Sequence, residues 1–134
     1  MGEISIDYIA HKISGDVQGN INKVLSICHQ LHVEEGILPF APYIPALLYL
    51  RDDVPAEREL GMTANGIYIR KACDRLRIFG DVLSFGVKGE ALLFKELARP
   101  IILQNPALEK ELDTLLQGYA FEVRAFQLKP EYQK

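Results

Sequence analysis

The run Ser84-Phe85-Gly86-Val87-Lys88-Gly89-Glu90 puts a hydroxyl, two glycines and a carboxylate at what reads as the start of a helix. A serine hydroxyl and the free N–H groups of a first helical turn attract an anion, and the helix dipole adds to that pull. Gly86 and Gly89 remove side chains where a phosphate or a ligand backbone would approach, and Glu90 falls near the same mouth. On residue pattern alone, a serine here is more often a simple cap, and a glutamate more often a partner for the dipole.

Five other residues could share in such chemistry. Tyr8 ends the first predicted strand, and Ser14-Gly15 lie in the loop that follows it. Lys12, in the same loop, could reach a phosphate, and Asp74 stands just before the third predicted strand. Their bland readings are packing for the tyrosine, a turn for the aspartate and solvation for the lysine. His11, His29 and His32 share no metal-ligand spacing with a cysteine or carboxylate, so no metal site is expected. Neither a GxGxxG nor a Walker loop is present, and there is no GxSxG elbow for a hydrolase serine.

The elements that must position these residues alternate. Residues 4–10 read as a buried strand, followed by a loop with a candidate N-cap at Asp16. Val17, Ile21, Val24, Leu25, Cys28 and Leu31 recur at helical spacing, and Gly36 stops that helix. Further strands are predicted at 37–40, 76–79 and 100–103, and an additional one, at an edge, near Tyr119–Ala125. Helices are predicted over 57–72, with Leu60, Ala64, Ile67 and Tyr68 on one side, over 87–97, and after Pro106. Residues 43–56 read as loop or short helix. This alternation predicts a doubly wound parallel sheet covered on both faces, with ligands at the carboxyl ends of its strands. The loops 8–16 and 80–87 are the ones that rule selects. One domain over residues 1–128 is expected, with 129–134 (ending PEYQK) as a flexible tail.

Composition narrows the function class. A chain of 134 residues with net charge −3 lacks the basic face that nucleic-acid polymers require. No apolar run approaches a membrane span, and no signal peptide is read at the N-terminus, so a cytoplasmic protein is expected. Cys28 and Cys73 sit in apolar periodic runs and read as reduced, buried hydrophobes.

The segments YIAHKISGD, CDRLRIFGD and SFGVKGE together resemble the nucleoside 2-deoxyribosyltransferase superfamily. Over about Ile6 to Pro100 the chain is most similar to a branch of small, mostly uncharacterised phage and bacterial domains, whose pattern includes PFAPYIPALLYLRDDVPAERELG and S-x-G-x-x-x-E. The resemblance implies a flavodoxin-like, three-layer α/β/α fold of about five strands, no cofactor, and a nucleoside or nucleotide as small-molecule partner. It implies that Glu90 attacks the anomeric carbon, assisted by Tyr8 and Asp74. Ser84 matches the serine of deoxynucleoside 5′-monophosphate N-glycosidases, which points to a phosphorylated ligand held by Ser84, Gly86 and Gly89, with Ser14, Gly15 and Lys12. The expected activity is N-glycosidic hydrolysis; a deoxyribosyltransferase and a non-catalytic nucleotide-binding module are the alternatives. Relatives often assemble as homo-oligomers, for which Tyr119–Phe126 is the candidate surface. The chain departs from relatives at His11-Lys12, often glycine-proline or glycine-serine, at Tyr43, often histidine, and at Lys88.

Overall fold

The computed structural model describes residues 3–134; Met1 and Gly2 lie outside them. Strand β1 (Ile6–Ala10) leads into helix α1 (Val17–Glu35) and strand β2 (Leu38–Phe40). Helices α2 (Tyr43–Tyr49) and α3 (Pro55–Ala72) precede strand β3 (Arg75–Ile78). Helix α4 (Phe85–Glu96), strand β4 (Ile101–Leu103), helix α5 (Glu109–Leu116) and strand β5 (Glu122–Val123) complete the order. All strand pairs are parallel, in the order β2-β1-β3-β4-β5. That is a flavodoxin-like, doubly wound sheet in three layers. Among the described residues, no helix is long and apolar enough to cross a membrane.

Local signals explain the element ends. Asp16 caps α1 by accepting from the Gly19 N–H at 3.1 Å, and Gly36 ends it in the left-handed region at φ 69°. Pro55 opens α3 at a position where its missing N–H leaves nothing unpaired. Pleating then sorts the strands. Tyr8, Ala10, Leu76, Ile78, Ile101 and Leu103 face a core shared with Ile69 of α3, Val87, Ala91 and Phe94 of α4, and Leu112 and Leu116 of α5.

The other face is unusual. Ile9 and Phe79 pack there against Val24, Ile27 and Leu31 of α1. Beside them sit Asp7 and Arg77, both almost wholly buried. Arg77 donates to Asp7 at 2.7 Å, to Gln104 at 3.1 Å and to Glu35 at 2.9 Å. Arg75 makes two further bonds of 2.9 Å to Asp7. Right-handed crossovers put α3, α4 and α5 on the first face, and α1 covers the second, with Ile44 of α2 packing beside it. Among the described residues no α-helix follows β5, and one short 3-10 turn, Pro130–Tyr132, is the helical piece there. An extended strap, residues 124–134, takes the place an α-helix would fill. The strap's Arg124 and Phe126 N–H groups donate to Leu103 and Gln104 carbonyls at 2.8 and 3.1 Å, and the Phe126 ring meets Phe79 edge-on.

This strap corrects two expectations. Residues 129–134 do not hang free: the Lys129 N–H bonds Gln30 at 2.9 Å, Tyr132 packs on His29, and the Lys134 N–H bonds Ser26 at 3.0 Å. For the same reason Ser26 and Gln30 of α1 are buried, while Val17 and Leu25 of the predicted apolar stripe are exposed. The aromatics of 119–126 turn inward, since Tyr119 and Phe121 pack on the first core and Phe126 on the second. Large exposed apolar side chains lie instead on α2 and α3, at Leu48, Tyr49, Leu60 and Met62.

Candidate active site

Helix α4 delivers Glu90 to the sheet. Val87, Ala91 and Phe94 form its buried stripe, and Glu90 lies three residues after the first and four before the last. It shares their face, so its carboxyl is carried inward. Tyr8 comes to meet it from the middle of β1, on the face that pleating turns toward α4. The Tyr8 hydroxyl donates to Glu90 Oε2. Asn65, from α3, donates to the Tyr8 hydroxyl oxygen at 2.5 Å and to Glu90 Oε2 at 3.1 Å.

Hydrogen counting fixes the asparagine. Tyr8 has one O–H and gives it to Glu90, so toward Asn65 it can only accept, which places the NH2 there. Asn65 Oδ1 is left on the other side, buried and without a partner. Glu90 Oε1 likewise takes no bond from the described residues, yet it is not among the atoms closed off from solvent. One carboxylate oxygen is held; the other is free.

Burial sets the electrostatics. It pushes the Glu90 carboxyl up to about 7, with the Tyr8 and Asn65 bonds pulling the other way. Burial, then the Glu90 charge, pushes the Tyr8 phenol well above its usual range, so Tyr8 stays a donor at neutral pH. Tyr43, from α2, is shifted upward by the same two causes; its hydroxyl donates to the Ile9 carbonyl at 2.6 Å, and its ring centroid lies 5.9 Å from that of Tyr8. Phe94 closes the other side of the Tyr8 ring at 6.2 Å.

The remaining expected site residues are dispersed. Asp74 stands at the opposite, amino-terminal edge of the sheet, where its carboxylate accepts from the Ile6 N–H at 2.8 Å. A residue that precedes a parallel strand belongs to that edge, so Asp74 is removed from the Glu90 cluster. Ser84 caps α4 by accepting from the Val87 N–H at 3.3 Å, which leaves its own hydrogen to give. Gly86 lies one turn before Glu90 on the same helix face, and a side chain there would meet nothing within 4 Å. Gly89 is equally open and exposed, so neither glycine forms a wall. Ser14 and Gly15 form the exposed turn into α1. Lys12 lies 3.6 Å from Asp81 and lines a hollow on the α1 face. Two hollows on the surface, one beside α5 and that one, are lined by neither Glu90, Tyr8 nor Asn65.

Asn65 is the member that sequence reasoning missed. The predicted inner face of α3 used Leu60, Ala64, Ile67 and Tyr68, of which Ala64 is half-buried and the other three are exposed. Gly61, Asn65 and Ile69, four residues apart, turn inward instead. The available signal was that spacing, with an asparagine between a glycine and an isoleucine.

Both cysteines are free, and burial pushes the Cys28 and Cys73 thiols up to about 11 and 12. Neither is a thiolate near neutral pH.

No curated protein and no solved structure matches the chain. A family model described as a domain of unknown function, DUF7768, matches residues 5–104. That stretch holds Tyr8, Asn65 and Glu90 and every strand from β1 to β4. The chain belongs to the DUF7768 family.

Proposed function

We propose that the protein cleaves the N-glycosidic bond of a nucleoside 5′-monophosphate, with Glu90 as nucleophile. The supporting observation is the divided carboxylate, one oxygen held by Tyr8 and Asn65 and the other without a protein partner. Oε1 bonds to C1′ as the bond from C1′ to the base breaks, and the electron pair leaves with the base, which takes a proton from solvent. Water then attacks C1′, releasing the sugar and restoring the carboxylate. Tyr8 holds Oε2 throughout. The 5′-phosphate is assigned to Ser84 and the first N–H groups of α4, about one to two turns from Glu90.

The test incubates the protein with each ribo- and deoxyribonucleoside monophosphate and follows free base by chromatography. Absence of base with all of them ends this reading. Because the nucleophile must be ionised, release should rise with pH through about 7. At pH 5 it should run about a hundredfold below the plateau, since an acid at a pH two below its pKa is only about 1% ionised. A profile flat from pH 5 to 8 would contradict the role of Glu90.

Asn65→Ala removes a bond that favours the ionised carboxylate. It should lower kcat about tenfold to a hundredfold, as loss of a charge-assisted hydrogen bond does. The pH midpoint should also move upward. A lowered rate with an unmoved midpoint would leave Asn65 a purely structural role.

A second reading is nucleotide binding without turnover, since the two hollows described above lie away from Glu90. Thermal stabilisation by a nucleotide with no base released would select it. Supplying an acceptor base and finding a new nucleoside would instead select a deoxyribosyltransferase. The homo-oligomer implied by the resemblance is tested by sedimentation.

A further inference from the structure

A hollow of about 590 Å³ lies at the carboxyl ends of β1, β3 and β4, on the α1 side of the sheet and so across it from Glu90. Its size is that of a small-molecule site. It also sits at the switch point, where the chain leaves β1 for one face and β3 for the other. The strap after β5 lines it with Ala125, Phe126 and Leu128. Its walls include His11, Lys12, Lys23 and the carboxylate of Asp81 among the polar residues and Phe79 and Phe126 among the apolar ones.

His11 carries the chemistry. It is 8% exposed, and its Nδ1 lies 2.6 Å from the Lys12 carbonyl. A carbonyl oxygen can only accept, so Nδ1 bears the hydrogen and Nε2 of the neutral ring presents a lone pair. Nε2 has no hydrogen-bond partner among the described residues and is not closed off from solvent. Gly80, at φ 96°, leaves its approach open, because a Cβ there would sit 3.3 Å from Nε2. Burial, with Lys23 and Lys12 nearby, lowers the His11 pKa below its ordinary value, against the opposing pull of the Lys12 carbonyl and Asp81. The ring is therefore neutral at pH 7.

Two ammonium groups flank this acceptor. Lys12 touches Asp81 only at 3.6 Å, and Lys23 makes no ion pair among the described residues. We propose that this hollow is a second small-molecule site, for an organic anion that carries a hydroxyl group. The anionic end lies between Lys12 and Lys23, and the hydroxyl donates to His11 Nε2. The apolar wall at Phe79 and Phe126 takes the carbon skeleton. The site is independent of the cleavage reading, and it uses none of the Glu90 cluster.

Long-range ¹H–¹⁵N spectra of the histidine side chains test it, with the full chain titrated by malate, by succinate and by ribose 5-phosphate. Malate or ribose 5-phosphate should move the His11 Nε2 resonance with a millimolar or tighter Kd, and whichever binds better identifies a carboxylate or a phosphate site. Succinate, equal in charge to malate but without its hydroxyl, should bind at least about fivefold more weakly than malate wherever malate binds. Lys23→Glu, at an exposed position, should weaken binding at least about tenfold without changing the melting temperature. The proposal fails if neither hydroxylated anion moves Nε2, if malate binds and succinate matches it, or if Lys23→Glu binds as wild type does.

Discussion

Glu90→Gln is expected to cut free-base release by on the order of 10³-fold or more, because it removes the one atom proposed to bond to the sugar. Glutamine keeps the shape and an acceptor oxygen for Tyr8 and Asn65, so the pocket should persist. The same substitution should make the fold more stable in alkaline solution. Burial raises the Glu90 carboxyl from 4.5 to about 7, so the folded state prefers the neutral form. The stability from that preference is complete below pH 4.5 and is lost as pH rises through about 7. At pH 8 the glutamine variant should exceed wild type by up to about 3 kcal/mol in urea unfolding, since a tenfold change in proton affinity corresponds to about 1.4 kcal/mol. Lost activity with gained stability is what a functional carboxylate held in an unfavourable place produces. If the variant releases base as fast as wild type, Glu90 is not the nucleophile.

The second large effect concerns folding. Arg77→Met should destabilise the protein by about 3–5 kcal/mol, the range for breaking a buried ion pair on one side. It strands Asp7, which is fully buried and would keep only Arg75 and Ser5. Replacing Asp7 by leucine in the same chain should recover part of that loss, because the buried carboxylate left short of a partner is then gone. Acid exposes the same network. Burial alone would raise the Asp7 carboxyl, but Arg75, Ser5 and Arg77 together hold it below its usual 3.8. Its contribution is therefore present above pH 3.8 and is lost as pH falls through the lowered folded value. Urea midpoints across that range measure the loss; a midpoint that stays level down to pH 2 would show that the Asp7 charge contributes nothing.

The alternation of strands and helices, the Asp16 cap and the Gly36 stop made the sheet and its winding readable in the residues. The nearness of Glu90 and Tyr8 was readable only through the resemblance, because a helix glutamate and a strand tyrosine are individually ordinary. Asp74 misled for a reason of direction: in a parallel sheet, residues before and after a strand lie at opposite edges. Asn65 was hidden because large apolar side chains on α3 face outward and draw the eye to the wrong stripe. The ending PEYQK is polar enough to look loose, and nothing local announces that Ser26, His29 and Gln30 wait for it on α1. Such contacts link positions about a hundred residues apart, beyond the reach of any windowed pattern.

Covering half a sheet with one extended strand of backbone divides the molecule into sides of unequal durability. The α3–α4–α5 side is clamped by three helices and should open only when the whole domain does. On the other side the strap can peel from α1 and β4, since it is bonded to them at only a few points. Among the amides bonded into the sheet, exchange should therefore be earliest at Arg124 and Phe126 and slowest at Leu76 and Ile78. Anything that docks beneath the strap would slow the first pair and leave the second untouched.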